Sequence, residues 1–284
     1  MKRIPLDWPN REHSRIISVG DLDWHVQLNG KGPVVLLLHG TGSSTHSWSD
    51  LIPLLENHAQ VLVPDLPGHA FTLGAKLDDL KLDEIARSLQ LLIDQLRIEA
   101  PTIVVGHSAG APLAIRFALA AAKQPKLVIA LNPSFIPPPA VYTSFFGPLL
   151  GPITRSSTLS SLLASFSPSL GMVDKLLDST NTILPESRRV YYRKLFERSD
   201  HVRGSMNFMA AADIQKVLTE ADLYQGKLIC VLGKQDAWIP VKPLERIVRD
   251  YFPAAEILTW EGGHIMHELE PRKVAQLILD GLNT

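Results

Sequence analysis

Val104-Val105-Gly106-His107-Ser108-Ala109-Gly110 is the stretch whose reading decides the fold. Thr102 to Val105 are all β-branched, which predicts a buried strand. The Ala-rich run Ala109 to Ala122 predicts a helix. Strand, tight turn and helix around Gly-x-Ser-x-Gly form the context of a nucleophile elbow, which lifts a serine hydroxyl above the end of a sheet. Gly106 and Gly110 are expected to permit the sharp turn. The helix behind the turn aims its free N–H groups and positive dipole end at the same point.

Outward from this point the chain alternates strands with helices. Ser14 to Val19 and Trp24 to Leu28 predict two edge strands of a hairpin turned at Gly20-Asp21. Val34 to Leu38 is a continuous aliphatic run, as expected of a strand covered on both faces. Trp48 to Asn57 carries apolar residues at helical spacing, and Val61 to Val63 is a further short strand. Ile85, Leu89, Leu92, Ile93 and Leu96 place one apolar stripe on a helix from Leu82 to Leu96. Leu127 to Leu131 predicts another strand. The pattern then stops at Asn132-Pro133 and resumes with Lys227 to Leu232 (strand), Lys242 to Asp250 (helix), Glu256 to Trp260 (strand) and Pro271 to Leu282 (helix). The fold class is therefore α/β, a mostly parallel sheet with helices on both faces. Residues 1–133 and 211–284 form its core, and residues 134–210 read as an inserted helical cap in which phenylalanines gather.

Composition narrows the function classes. A net charge of −1 and no basic run argue against nucleic acid as a partner. The single cysteine, Cys230, lies in an apolar strand and can form no internal disulfide. Met1 to His13 is polar and interrupted by prolines, unlike a secretory signal, so a reducing, cytoplasmic setting is the expectation. The apolar region from Leu127 to Ile153 is too broken by proline and glycine to span a membrane.

A serine hydroxyl needs a base to take its proton, and the base needs a third group to orient it. Both must sit on loops at the strand carboxyl ends, beside Ser108. Asp236, beyond the strand at Lys227 to Leu232, and His264, beyond the last strand, satisfy this in the chain order Ser, Asp, His. Asn132 occupies the alternative acid position, which favours Asp236. As a loop residue beside a pocket open to solvent, His264 is expected to matter little to stability. The backbone N–H groups of Thr41 and Ala109 are the expected oxyanion donors. His39 and His107 suit packing and loop hydrogen bonds, although His39 also lies beside Gly40 and Gly42 where substrate would approach. His13, His25, His58 and His201 read as surface residues. His267, three residues after His264, does not make a metal site, because no carboxylate stands at zinc spacing and no HExxH occurs. No cofactor is expected.

His39-Gly40, Asp65-Leu66-Pro67-Gly68-His69, Gly106-His107-Ser108-Ala109-Gly110, Asp236 and Gly263-His264 together resemble the α/β-hydrolase superfamily over nearly the whole chain. Serine at 108 differs from the aspartate of haloalkane dehalogenases and epoxide hydrolases and disfavours both. Ala70 departs from the commoner Pro-Gly-His-Gly continuation. A narrower resemblance, to magnesium-chelatase accessory proteins of bacteriochlorophyll biosynthesis, rests on four segments. They are Asp7-Trp8-Pro9, Leu22 to Gln27, His39 to Trp48 and Arg198-Ser199-Asp200-His201-Val202. It implies a pathway, protoporphyrin metallation, and no particular reaction.

Two functions follow as expectations. One is a serine hydrolase acting on an ester, thioester or similar carbonyl of a small apolar substrate, with His39, Gly40, Gly42, His46, Trp48, Phe145, Phe146 and Trp238 around it. The other is an accessory protein that binds a porphyrin or a magnesium-chelatase subunit, the triad being inherited but unused. Any membrane contact would be peripheral, through Phe145, Phe146, Leu149 and Leu150.

Overall fold

Strand β3 (Val34–Leu38) is buried along its whole length, and its side chains alternate between two apolar layers. Leu36 and Leu38 face one layer, Val35 and Leu37 the other. The same division by two recurs in β4 (Gln60–Pro64), β5 (Ile103–His107), β6 (Leu127–Leu131) and β7 (Lys227–Gly233). Aliphatic runs without polar alternation are what a sheet covered on both faces requires. In this computed structural model, which describes residues 4–136 and 171–283, the sheet has eight strands. With β1 (Ser14–Val19), β2 (Leu22–Asn29) and β8 (Glu256–Trp260), their order is β1-β2-β4-β3-β5-β6-β7-β8. The first two pairings, β1 with β2 and β2 with β4, are antiparallel, and the rest are parallel.

β1 alone is an edge of the expected hairpin. β2 pairs on both sides and buries Trp24 and Val26. Helices α2 (Leu82–Leu96) and α3 (Gly110–Ala120) cover one face, and α8 (Val241–Tyr251) packs there too. The other face is covered by α10 (Pro271–Leu282) and by a short segment after β3. That segment is not the continuous helix predicted from Trp48 to Asn57. It is a 3₁₀ turn, Thr45–Trp48, followed by the single turn α1 (Ile52–Leu55), since Pro53 can stand only in a helix's opening turn.

Between β6 and β7 the described residues hold α4 (Met172–Asp178), α5 (Glu186–Phe196), α6 (Ser199–Ala211) and α7 (Ile214–Thr219), and no strand. A further short helix, α9 (Met266–Leu269), follows β8. Among the described residues no helix is long and apolar enough to cross a membrane.

Candidate active site

Ser108 follows the last residue of β5 with φ +51°, a left-handed backbone that costs a non-glycine residue roughly 1–2 kcal/mol. The strain falls on the serine itself, and the two elbow glycines permit the turn, as expected, by having no Cβ to clash. A Cβ on Gly106 would strike the Gly110 carbonyl, and one on Gly110 would strike the Leu38 carbonyl. They let strand and helix approach, while three bonds hold the serine backbone. Its N–H donates to Leu131 O at 3.0 Å, and its carbonyl accepts from Ala111 N–H (3.0 Å) and Ser134 N–H (3.1 Å).

The Ser108 hydroxyl lies 2.9 Å from His264 Nε2, and His264 Nδ1 lies 2.8 Å from Asp236 Oδ2. The carboxylate accepts from Nδ1–H, which leaves Nε2 free to accept the serine proton. Asp236 is fixed in turn, because its Oδ1 accepts the N–H groups of Trp238 and Ile239, both at 2.8 Å. His264 and Asp236 are 3 % and 6 % exposed, so His264, expected to matter little to stability, is a buried residue bonded to a buried carboxylate. Thr180 O, just beyond α4, accepts the His264 N–H at 2.9 Å.

Asn132 is a residue whose role the sequence did not show. Its Nδ2 donates to the carbonyls of Gly263 (3.1 Å) and His264 (2.9 Å), and its Oδ1 accepts Gly233 N–H at 2.6 Å. One amide thus ties the loops that follow β6, β7 and β8. His107 Nε2–H adds a bond to the His264 carbonyl at 2.8 Å. Only its place after a buried strand marked Asn132, and that pattern does not specify cross-loop partners.

Thr41 and Ala109 border the same cavity as Ser108 and His264. Residues Gly40 to Ser43 form a turn closed by Ser43 N–H to Gly40 O at 3.2 Å, with Gly42 at φ +75°. The Gly40 carbonyl, the other end of the peptide that carries the Thr41 N–H, also accepts from His39 Nδ1–H at 2.8 Å. His39 Nε2 accepts Leu66 N–H at 3.0 Å, so the tautomer is forced.

The cavity measures about 440 Å³. Gly40, Gly42 and Trp238 line it as expected, together with Phe135, Leu177, Phe196, Val202, Met206, Met209 and Ile265. None of its described lining residues is Lys, Arg, Asp or Glu. Three residues expected around substrate are not there. His39 is fully buried behind the turn. His46 is buried with Nδ1 on Ser44 Oγ at 2.6 Å and its ring against Tyr192, and burial pushes it down to about 3. Trp48 is in the core beneath the sheet, 4.8 Å from the His267 ring. In each case a long-range partner, absent from any local pattern, draws the ring inward. Phe145, Phe146, Leu149 and Leu150 lie outside the described residues.

Two histidines read as surface residues are also buried. His25 Nδ1 donates to Asp65 Oδ2 at 2.6 Å, and His201, on α6, is 1 % exposed. Burial works to raise the Asp65 carboxyl, but His25, His39 and the Thr45 N–H outweigh it and hold the group down to about 2. Among the described residues no group of three His, Cys, Asp or Glu side chains could hold a metal ion.

Behind the cavity wall Tyr192 O–H donates to Glu268 Oε1 at 2.6 Å. Glu268 is 2 % exposed, and burial raises its carboxyl to about 7 against the opposing pull of Tyr192 and Arg188. The folded state therefore binds this proton more tightly than the unfolded chain. The stability gained is complete below the ordinary value of 4.5 and is lost as pH rises through 7. Glu268→Gln removes that dependence. Urea unfolding of both proteins at about pH 5 and about pH 8 should show a loss of about 3 kcal/mol in the wild type that the variant escapes. An equal loss in the two would contradict it. His46 and His201, each pushed down to about 3, act with the opposite sign and are common to both proteins.

The profile described as the alpha/beta hydrolase family matches residues 35–277. The magnesium-chelatase 30 kDa subunit of Rhodobacter capsulatus is 29% identical over 283 residues, 99% of this chain and 98% of that protein. Monoacylglycerol lipase ABHD6 of Bos taurus is 23% identical, with 89% of this chain and 76% of the lipase covered. Among solved structures, an α/β-hydrolase from Nostoc sp. PCC 7120 superposes with a TM-score of 0.80 at 19% identity, over 95% of this chain and 97% of that one. Sheet order, elbow and profile agree, and the chain belongs to the α/β-hydrolase family.

Proposed function

We propose that the protein is a serine hydrolase that cleaves an ester or related carbonyl in an uncharged, apolar substrate. The observation that carries this is the unbroken hydrogen-bond relay from Ser108 through His264 to Asp236, opening on a cavity without charged residues among its described lining. His264 Nε2 takes the proton as Ser108 Oγ attacks the carbonyl carbon, and Asp236 stabilises the imidazolium. The N–H groups of Thr41 and Ala109 meet the developing oxyanion. His264 then returns the proton to the leaving group. Water activated by the same imidazole releases the acyl group, and the helices after β6 act as the cap. The name of the bovine lipase is consistent with ester cleavage.

The test is covalent labelling by a fluorophosphonate. The wild type should be labelled and Ser108→Ala should not, since the relay then ends on a methyl group. An unlabelled wild type that remains folded would remove the hydrolase reading.

A second reading comes from likeness over 99% of the chain to the Rhodobacter magnesium-chelatase subunit. In it the protein serves the magnesium-chelatase step of bacteriochlorophyll biosynthesis by binding a porphyrin or a chelatase subunit. Titration with protoporphyrin followed by absorbance tests the first of these. A saturable spectral shift supports it, and its absence counts against porphyrin binding.

A further inference from the structure

His201 stands on α6, outside the relay, yet it touches two backbone segments that frame the site. Its Nδ1 lies 3.0 Å from Ala70 N, and its Nε2 lies 3.3 Å from Gly42 O. A backbone N–H can only donate and a carbonyl can only accept, so Nδ1 must be the bare nitrogen and Nε2 must carry the hydrogen. Burial, helped by Arg198, keeps the ring neutral and so keeps that tautomer.

The Nε2 contact reaches the Gly40–Ser43 turn, while the Nδ1 contact anchors the ring on the loop at Ala70. One face of the turn is tied from the core by His39, through the Gly40 carbonyl. The Gly42 carbonyl is held from α6 by His201 alone among the described side chains. The same helix faces the cavity with Val202, Ser205 and Met206. It can approach because Gly204, one turn beyond His201, has no Cβ, where one would strike the Gly68 carbonyl.

We infer that His201 is a positioning residue that fixes the Thr41 N–H for the oxyanion and makes that donor's placement depend on the seating of α6. The inference rests on the hydrolase reading. A carbonyl released from Nε2 lets the turn rotate about Gly42, whose glycine backbone offers little resistance, and displaces the neighbouring donor. Such a displacement weakens attack, where the negative charge forms, more than it weakens ground-state binding.

The two arms can be separated. The Asn amide oxygen falls near the Nδ1 position and keeps the Ala70 contact while losing Gly42. The Gln amide nitrogen falls near Nε2 and keeps Gly42 while losing Ala70. With the full chain and a fluorophosphonate, His201→Asn and His201→Leu should lower the maximal labelling rate about tenfold or more, with half-saturating probe concentration little changed. His201→Gln should stay within about threefold of wild type. Gly204→Ala, which lifts α6 without touching the imidazole, should also slow labelling. Nitrogen NMR of the wild type should show a neutral ring with the hydrogen on Nε2.

Equal rates for the Asn and Gln variants, or a folded Leu variant at wild-type rate, would overturn the positioning role while leaving the hydrolase reading intact. Should the Leu variant not fold, the Asn and Gln pair decides. A wild type that never labels removes both.

Discussion

His264→Ala should slow acylation of Ser108 by on the order of 10⁶-fold, the scale seen when the base of a serine relay is deleted. The imidazole is the group 2.9 Å from the hydroxyl that can accept its proton. Without it the serine must lose a proton to water in a cavity walled mainly by apolar side chains. The variant should also be less stable. Asp236 Oδ2 loses its donor inside the protein, and an unsatisfied buried acceptor costs roughly 1–3 kcal/mol. Turnover of a chromogenic ester, fluorophosphonate labelling and a thermal melt measure the two effects. Retention of more than a few per cent of the wild-type rate would show that another group takes the proton.

Asp236→Asn should lower the rate by about 10⁴-fold with a smaller change in stability. Asparagine keeps an oxygen for the Trp238 and Ile239 N–H groups, so the loop is still held. What changes is the atom facing His264. An amide N–H there is a donor, so Nδ1 must accept and the ring hydrogen moves to Nε2. The imidazole then presents a hydrogen to Ser108 instead of a lone pair. Steady-state kinetics beside the melt separates this from unfolding. Near-normal turnover would mean that some other acceptor orients the ring.

Much of the fold could be read along the chain because a doubly covered parallel sheet writes itself as uninterrupted aliphatic runs. Val34–Leu38 and Leu127–Leu131 are strands with the expected bounds, and Pro271–Leu282 is a helix with its proline in the first turn. The elbow was legible because Gly106-x-Ser108-x-Gly110 stands between a β-branched run and an Ala-rich run, the order of strand, turn and helix. Legibility ends where burial depends on distant partners. His25 falls on the polar side of an alternating strand and His201 follows Arg198-Ser199-Asp200, yet they are enclosed by Asp65 and by the Gly42 and Ala70 backbones. His46 and Trp48, beside the glycine loop in sequence, turn away from the cavity because Tyr192 and His267 complete pockets for them. Local spacing marks a ring as near a site and is silent on which way it points.

The single amide of Asn132 has a wider consequence. Because it binds the loops bearing acid and base into one body, those two groups keep their mutual alignment by a contact separate from the one through which α6 holds the Gly40–Ser43 turn. Changes to Val202, Met206 or Leu177 that leave α6 seated reshape what the chamber admits without redrawing the chemistry beneath it. Selectivity and reactivity can then drift apart over evolutionary time, which makes this scaffold a practical starting point for laboratory retargeting.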